Sequence, residues 1–111
     1  MEETGYVVFM TEDAERDVEK IYDYIAQQDC PGKAEYVLAQ IEKKISSLSD
    51  LPERGVYPQE LVALGIRKYR EIFFKPYRII YQVTDGKIYV MLVADGRRNM
   101  QYLLQVRLFE G

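Results

Sequence analysis

The sequence predicts an α+β domain: an N-terminal strand, an antiparallel helix hairpin packed on a small antiparallel sheet, and a short C-terminal helix or tail. Three observations carry that prediction. Apolar side chains recur at helical spacing along two consecutive segments between Ala14 and Leu48. The period switches to two at Arg67, and Asp85-Gly86 separates two alternating runs with one of the strongest two-residue hairpin signals. The 111 residues show no internal repeat, linker-like stretch or low-complexity tract, so residues 1–111 read as one domain. A chain of this size buries roughly 65% of its unfolded surface and folds without staples.

Tyr6 to Met10, YVVFM, is β-branched and aromatic and reads as the first strand. Thr11 then offers a hydroxyl N-cap, and Glu12 and Asp13 place negative charge where a helix N-terminus favours it. Ala14, Val18, Ile21, Tyr22 and Ile25 make the apolar stripe of that helix, with Glu15, Arg16, Glu19, Lys20 and Asp23 facing water. It ends near Gln28 or Asp29. Pro31 suits the first turn of a second helix, capped by Asp29 or Cys30. Ala34, Val37, Leu38, Ile41, Ile45 and Leu48 form its buried stripe, and it stops at about Ser49 before Pro52. The short connector makes the two helices an antiparallel hairpin.

Glycine and proline break the pattern between Glu53 and Leu64, which reads as a loop with one short helical turn. Arg67 to Phe74 is the next strand, with Arg70, Ile72 and Phe74 on one face and Tyr69, Glu71 and Phe73 on the other. Pro76 cannot donate to a sheet and marks the following strand start. Tyr77 to Thr84 and Ile88 to Ala94 are then the arms of the hairpin. Both arms carry apolar residues on both faces, which places them centrally, covered by the helices on one side and partly on the other. Arg97 to Phe109, with Met100, Leu103, Leu104 and Leu108, is a terminal helix or an extended tail.

Composition excludes several chemistries. The chain has no histidine and one cysteine, so the commonest neutral-pH base is missing, a Ser/His or Cys/His nucleophile cannot be built, and no zinc set is available. The scattered glycines make no phosphate-cradling loop, and no metal or cofactor is expected. Cys30 has no basic cluster beside it in sequence and reads as inert. The N-terminus lacks a signal-peptide pattern and no apolar run approaches the roughly 20 residues of a membrane span, so the expected location is the cytoplasm. Ten tyrosines suggest broad amphipathic surface, suited to binding another protein.

The net charge of -3 hides a division. Residues 1–60 carry six basic and fourteen acidic side chains, residues 61–111 nine and four. That asymmetry fits an anionic partner on the basic half, or complementarity between an acidic helical layer and a basic sheet. Arg78 and Arg98 flank the apolar hairpin; as single residues they pair with acids or cap strand ends, and together they make an anion site. The sequence leaves both readings open.

The segment YREIFFKPYRIIYQVTDGKIYVMLVADGRRNMQYLLQVRL, preceded by AERDVEKIYDYIAQQD and DLPERGVYP, resembles the RelE/ParE toxin superfamily of bacterial type II toxin-antitoxin modules, and is closer to its ParE-like members. The resemblance covers nearly the whole chain. It implies a growth-inhibiting, plasmid-stabilising toxin silenced by a cognate antitoxin whose disordered C-terminal arm folds onto it. ParE-like members inhibit DNA gyrase. RelE-like members cleave mRNA on the ribosome through a ribose 2′-OH, and a non-toxic protein-binding module is a third possibility. By position, Arg78 and Arg98, with Arg70, match arginines and one basic position of the RelE-like catalytic set. The other lysine of that set falls at Glu71 or Ile72, and its tyrosine at Leu104, two residues from Tyr102. The set is therefore incomplete, and the expected chemistry is binding. Under the resemblance, target-binding candidates are Arg78, Arg97, Arg98, Arg107 and Phe109, and antitoxin-binding candidates are Tyr22, Ile25, Val37, Ile41, Arg70 and Tyr77.

Overall fold

The Thr11 hydroxyl accepts the Ala14 backbone N–H at 3.1 Å, so the first helix starts on the cap that the sequence predicts. The structure, a computed structural model, describes residues 5–110. In chain order its elements are β1 (Val7–Met10), α1 (Glu12–Gln28), α2 (Pro31–Ser46), α3 (Gln59–Val62), β2 (Tyr69–Phe74), β3 (Tyr77–Thr84), β4 (Lys87–Asp95) and α4 (Met100–Gln105). A 3₁₀ turn, Ser47–Ser49, extends α2 to the expected stop. A wider π turn, Val106–Glu110, extends α4, so the C-terminal segment is helical and not an extended tail. Cys30 is the cap residue of α2, with no side-chain bond of its own, and Pro31 supplies the preset first turn.

The four strands form one sheet in the order β1-β4-β3-β2. β2, β3 and β4 are antiparallel neighbours, as expected. The N-terminal strand, whose pairing the sequence left open, joins this sheet at its edge: β1 lies parallel to β4, Val7 opposite Lys87 through Met10 opposite Val90. The physical reason is the connection. The helix hairpin leaves β1 and crosses one face of the sheet before any other strand forms, and a crossover of that length permits parallel pairing where a tight turn does not. Asp85 and Gly86 both take positive φ, 51° and 74°, in the two-residue turn between β3 and β4. The register shifts from Ile80 opposite Leu92 to Tyr81 opposite Val90, leaving Met91 as a bulge.

Both faces of the sheet are covered. Ile72, Ile79, Tyr81, Ile88, Val90 and Val93 pack under α1 and α2 against Ala14, Val37, Ile41 and Ile45. On the opposite face Tyr69, Ile80, Leu92 and Ala94 pack with Leu61 of α3 and Met100 and Leu104 of α4. The alternation read along β3 thus sorts into two cores. Tyr81 is fully buried, and its hydroxyl is satisfied twice, donating to the Pro52 carbonyl at 2.8 Å and accepting the Gly55 N–H at 3.0 Å. A Cβ on Gly55 would stand 2.6 Å from the Glu71 carbonyl oxygen, so only glycine lets the 50–58 loop close on β2. No helix among the described residues is long and apolar enough to cross a membrane.

Candidate functional site

Arg78 sits on β3 one step from the Lys75-Pro76 turn, and its guanidinium crosses the sheet to two carboxylates. Nε donates to Glu71 Oε1 at 2.7 Å; Nη1 and Nη2 donate to Glu60 Oε2 and Oε1 at 2.9 and 2.7 Å. Glu71 reaches it because β2 and β3 pair Phe73 with Arg78, which makes Glu71 a diagonal cross-strand neighbour. Glu60 reaches it from α3, whose Leu61 is anchored in the second core. The stem is held as well: a Cβ on Gly96 would fall 2.8 Å from Arg78 Cδ, and the Gly96 N–H donates to the Pro76 carbonyl at 2.8 Å. The Arg78 side chain is 14% exposed and that of Glu71 5%.

The electrostatics follow from that geometry. The hydrogen bonds from Arg78 hold the Glu60 carboxyl below the usual carboxylate range. Burial pushes Glu71 up, although Arg78 pulls the other way. The two carboxylates drive the Arg78 guanidinium still further from deprotonation, the Glu60 bonds most of all. One positive charge therefore faces two negative ones in a half-enclosed pocket rimmed by Val56, Tyr57 and Phe73. Arg70, on the same strand as Glu71, lies over the Tyr57 ring at 4.6 Å and donates to the Gly55 carbonyl at 2.9 Å, which fixes the loop and not a ligand.

A second cation network ties the C-terminal segment down. Arg107 donates to both carboxylate oxygens of Asp17, at 2.8 and 3.0 Å, and to the Met91 carbonyl at the bulge at 2.8 Å. Asp17 also accepts the Val93 N–H at 3.0 Å. Arg107, a target-binding candidate under the resemblance, is docked on the chain's own fold: its side chain is 21% exposed and bridges α1, β4 and the π turn. Phe109 is indeed half exposed, at 51%. Both networks join the basic second half to the acidic first half, so part of the charge division is internal complementarity.

At the end of β4 the chain turns through Gly96. Arg97 pairs with Asp95 at 2.6 Å, and this pairing holds the Asp95 carboxyl down. Arg98 stays exposed, its backbone N–H donating to the Asp95 carbonyl. Arg78 and Arg98 thus come to the same end of the sheet, one sequestered and one open. Of the RelE-like positions, Leu104 is buried in the second core and Tyr102 is 61% exposed.

The antitoxin-binding candidates do not share one surface. Ile41 is fully buried among the core side chains, out of reach of any partner. Ile25 and Val37, also nearly buried, form the floor of a cleft of about 650 Å³ whose wall includes Tyr77. Tyr22 lies in a separate groove between α1 and α2, and Arg70 on the loop side of β2. Glu60 and Asp17 do not stand out in the sequence, and Glu71 enters there only as a position where a lysine of the RelE-like set is missing. A buried acid in an apolar strand was the one available signal for Glu71; Glu60 carried none, because its role depends on how the 53–68 loop returns to the sheet. Among the described residues no group of three or more cysteine or carboxylate side chains is arranged to hold a metal ion.

The fold is shared with toxins of known structure. A chain of the chromosomal ParDE TA system from P. aeruginosa superposes with a TM-score of 0.70 at 19% identity, covering 84% of this chain and 98% of that one. A chain of the RelBE2 toxin-antitoxin complex from Mycobacterium tuberculosis gives 0.58 at 21% identity, covering 85% and 94%. A doubly arginine-to-alanine substituted E. coli toxin RelE, in the free state, gives 0.62 at 20% identity, covering 95% and 98%. No curated protein matches in sequence. The family model described as the ParE toxin of the type II toxin-antitoxin system, parDE, matches residues 8–100. That match spans most of the chain and reaches all four strands of the sheet, and the chain therefore belongs to the ParE toxin family of type II toxin-antitoxin systems.

Proposed function

We propose that this toxin arrests growth by binding and inhibiting a protein target of the DNA gyrase type, and that a cognate antitoxin with a disordered C-terminal arm holds it silent. The observation that carries the reading is the double carboxylate clamp on Arg78. A nuclease that stabilises a cleaving phosphate needs open N–H donors and local positive charge at the reacting atom. Here the donors of Arg78 are engaged by Glu60 and Glu71, and the pocket they form repels a phosphate. The chain also has no histidine, and leucine stands at the RelE-like tyrosine position, so the tyrosine of that set is missing, and the carboxylates beside Arg78 are engaged by its guanidinium. An overall charge of -3 is likewise unfavourable for ribosomal RNA. What is left is a protein-binding surface, and a cytoplasmic target is consistent with it.

The test is to induce the chain alone in bacterial cells and follow labelled precursor incorporation into DNA and into protein over the first minutes, beside a supercoiling assay with purified gyrase. DNA synthesis should fall first, and supercoiling should be inhibited by the purified protein. Protein synthesis falling first would reject this reading in favour of a ribosome-dependent nuclease. No growth effect at all would leave a non-toxic binding module.

A further inference from the structure

The cleft over Ile25 and Val37 runs on, through shared Tyr24, Tyr77 and Arg97, into a second hollow of about 370 Å³ beside β4. Together they form one groove at the connector end of the helix hairpin. Its walls are aromatic: Tyr24 is 67% exposed and Tyr36 58%, Tyr36 meets Phe74 edge to face with ring centres 6.3 Å apart, and Tyr77 closes the side. Its charges do not balance. Each acid along the groove already holds a cation, Asp17 with Arg107, Asp29 with Lys33 and Asp95 with Arg97. Lys20, Lys75 and Arg98 also line it, and none of the three makes an ion pair among the described residues. An acidic protein has thus gathered surplus positive charge around exposed tyrosines in one place.

We propose that this groove is the docking site for an extended acidic peptide segment of a partner protein, carboxylates on Lys20, Lys75 and Arg98 and an aliphatic or aromatic side chain between Tyr24 and Tyr36. Charge complementarity selects the occupant: surplus cations on the rim require anions, and the aromatic walls require apolar anchors between them. A single-stranded nucleic acid also offers anions and flat rings, but the net negative charge of the whole chain opposes a polyanion more than a peptide with a few carboxylates. The assignment rests on the antitoxin reading above only in naming whose segment it is.

The test is fluorescence anisotropy on the intact protein with a labelled decapeptide of alternating Glu/Asp and Leu/Phe, against a lysine-for-acid version and a labelled oligouridine. Saturable, salt-sensitive binding of the acidic peptide alone is expected. The Lys20→Glu/Lys75→Glu variant should weaken it about tenfold or more, as should Tyr24→Ala/Tyr36→Ala, whereas Lys43→Glu/Lys87→Glu, with the same change in net charge outside the groove, should not. Unfolding curves check that each variant is folded. No binding of the acidic peptide, equal loss in the control variant, or preference for the oligouridine would each overturn the proposal. Growth arrest on induction is scored separately, so failure of the groove is distinct from failure of the gyrase reading.

Discussion

Arg78 shows how one residue's role is decided by what surrounds its head and its stem. Glu60 ionises more readily in the fold than its ordinary 4.5, because Arg78 donates two bonds to it. A lowered carboxyl contributes stability that is complete above the unfolded value and is lost as acid protonates the folded group. Glu71 has the opposite sign: burial raises it, so its contribution declines as pH rises above 4.5. The clean test is therefore Glu60→Gln. Urea unfolding at pH 7 should show the variant less stable by about 1–3 kcal/mol, and the difference should shrink as the pH falls below 4.5 and acid protonates the folded carboxyl. A deficit that persisted unchanged in acid would mean that Glu60 acts through packing and not through its charge.

Among the elements, the C-terminal helix depends most on a single contact. α4 is short, and the π turn after it reaches back to α1 through Arg107, Asp17 and the Met91 carbonyl. Arg107→Ala should cost about 1–3 kcal/mol and speed amide hydrogen exchange in residues 100–109 well beyond that in β3 and β4. Uniform acceleration would show that the segment is not a separately opening unit. The elements themselves were largely legible. Thr11, Pro31 and Asp85-Gly86 act through local backbone chemistry, and the alternation along β3 needs no partner to be read. The parallel placement of β1 was not legible, since a period of two is the same in either direction. The bulge at Met91 was also hidden, because β4 reads as an even apolar run. The clamp on Arg78 needed both the β2–β3 register and the fold of a loop rich in glycine and proline, and neither is a property of nearby residues.

Across the whole molecule, the charge division resolves into two uses. Arg78 and Arg107 are spent on acids inside the fold, while Lys20, Lys75 and Arg98 face outward around the groove. Which of these arginines is open is a tertiary property that the sequence does not carry. The parallel pairing of β1 with β4 has a consequence for synthesis. Val7 finds its partner at Lys87, so the sheet cannot close until β4 has been made. Until then a nascent chain holds a helix hairpin with its apolar face uncovered, and pairing so distant in sequence is slow to nucleate. On stalled ribosomes the N-terminal half should stay open to protease until Asp95 has cleared the exit tunnel, and then become resistant in one step; resistance appearing with the hairpin alone would contradict this. A ribosome making this chain therefore carries an unfinished polypeptide for most of each round of translation, and the folded domain exists only at the end.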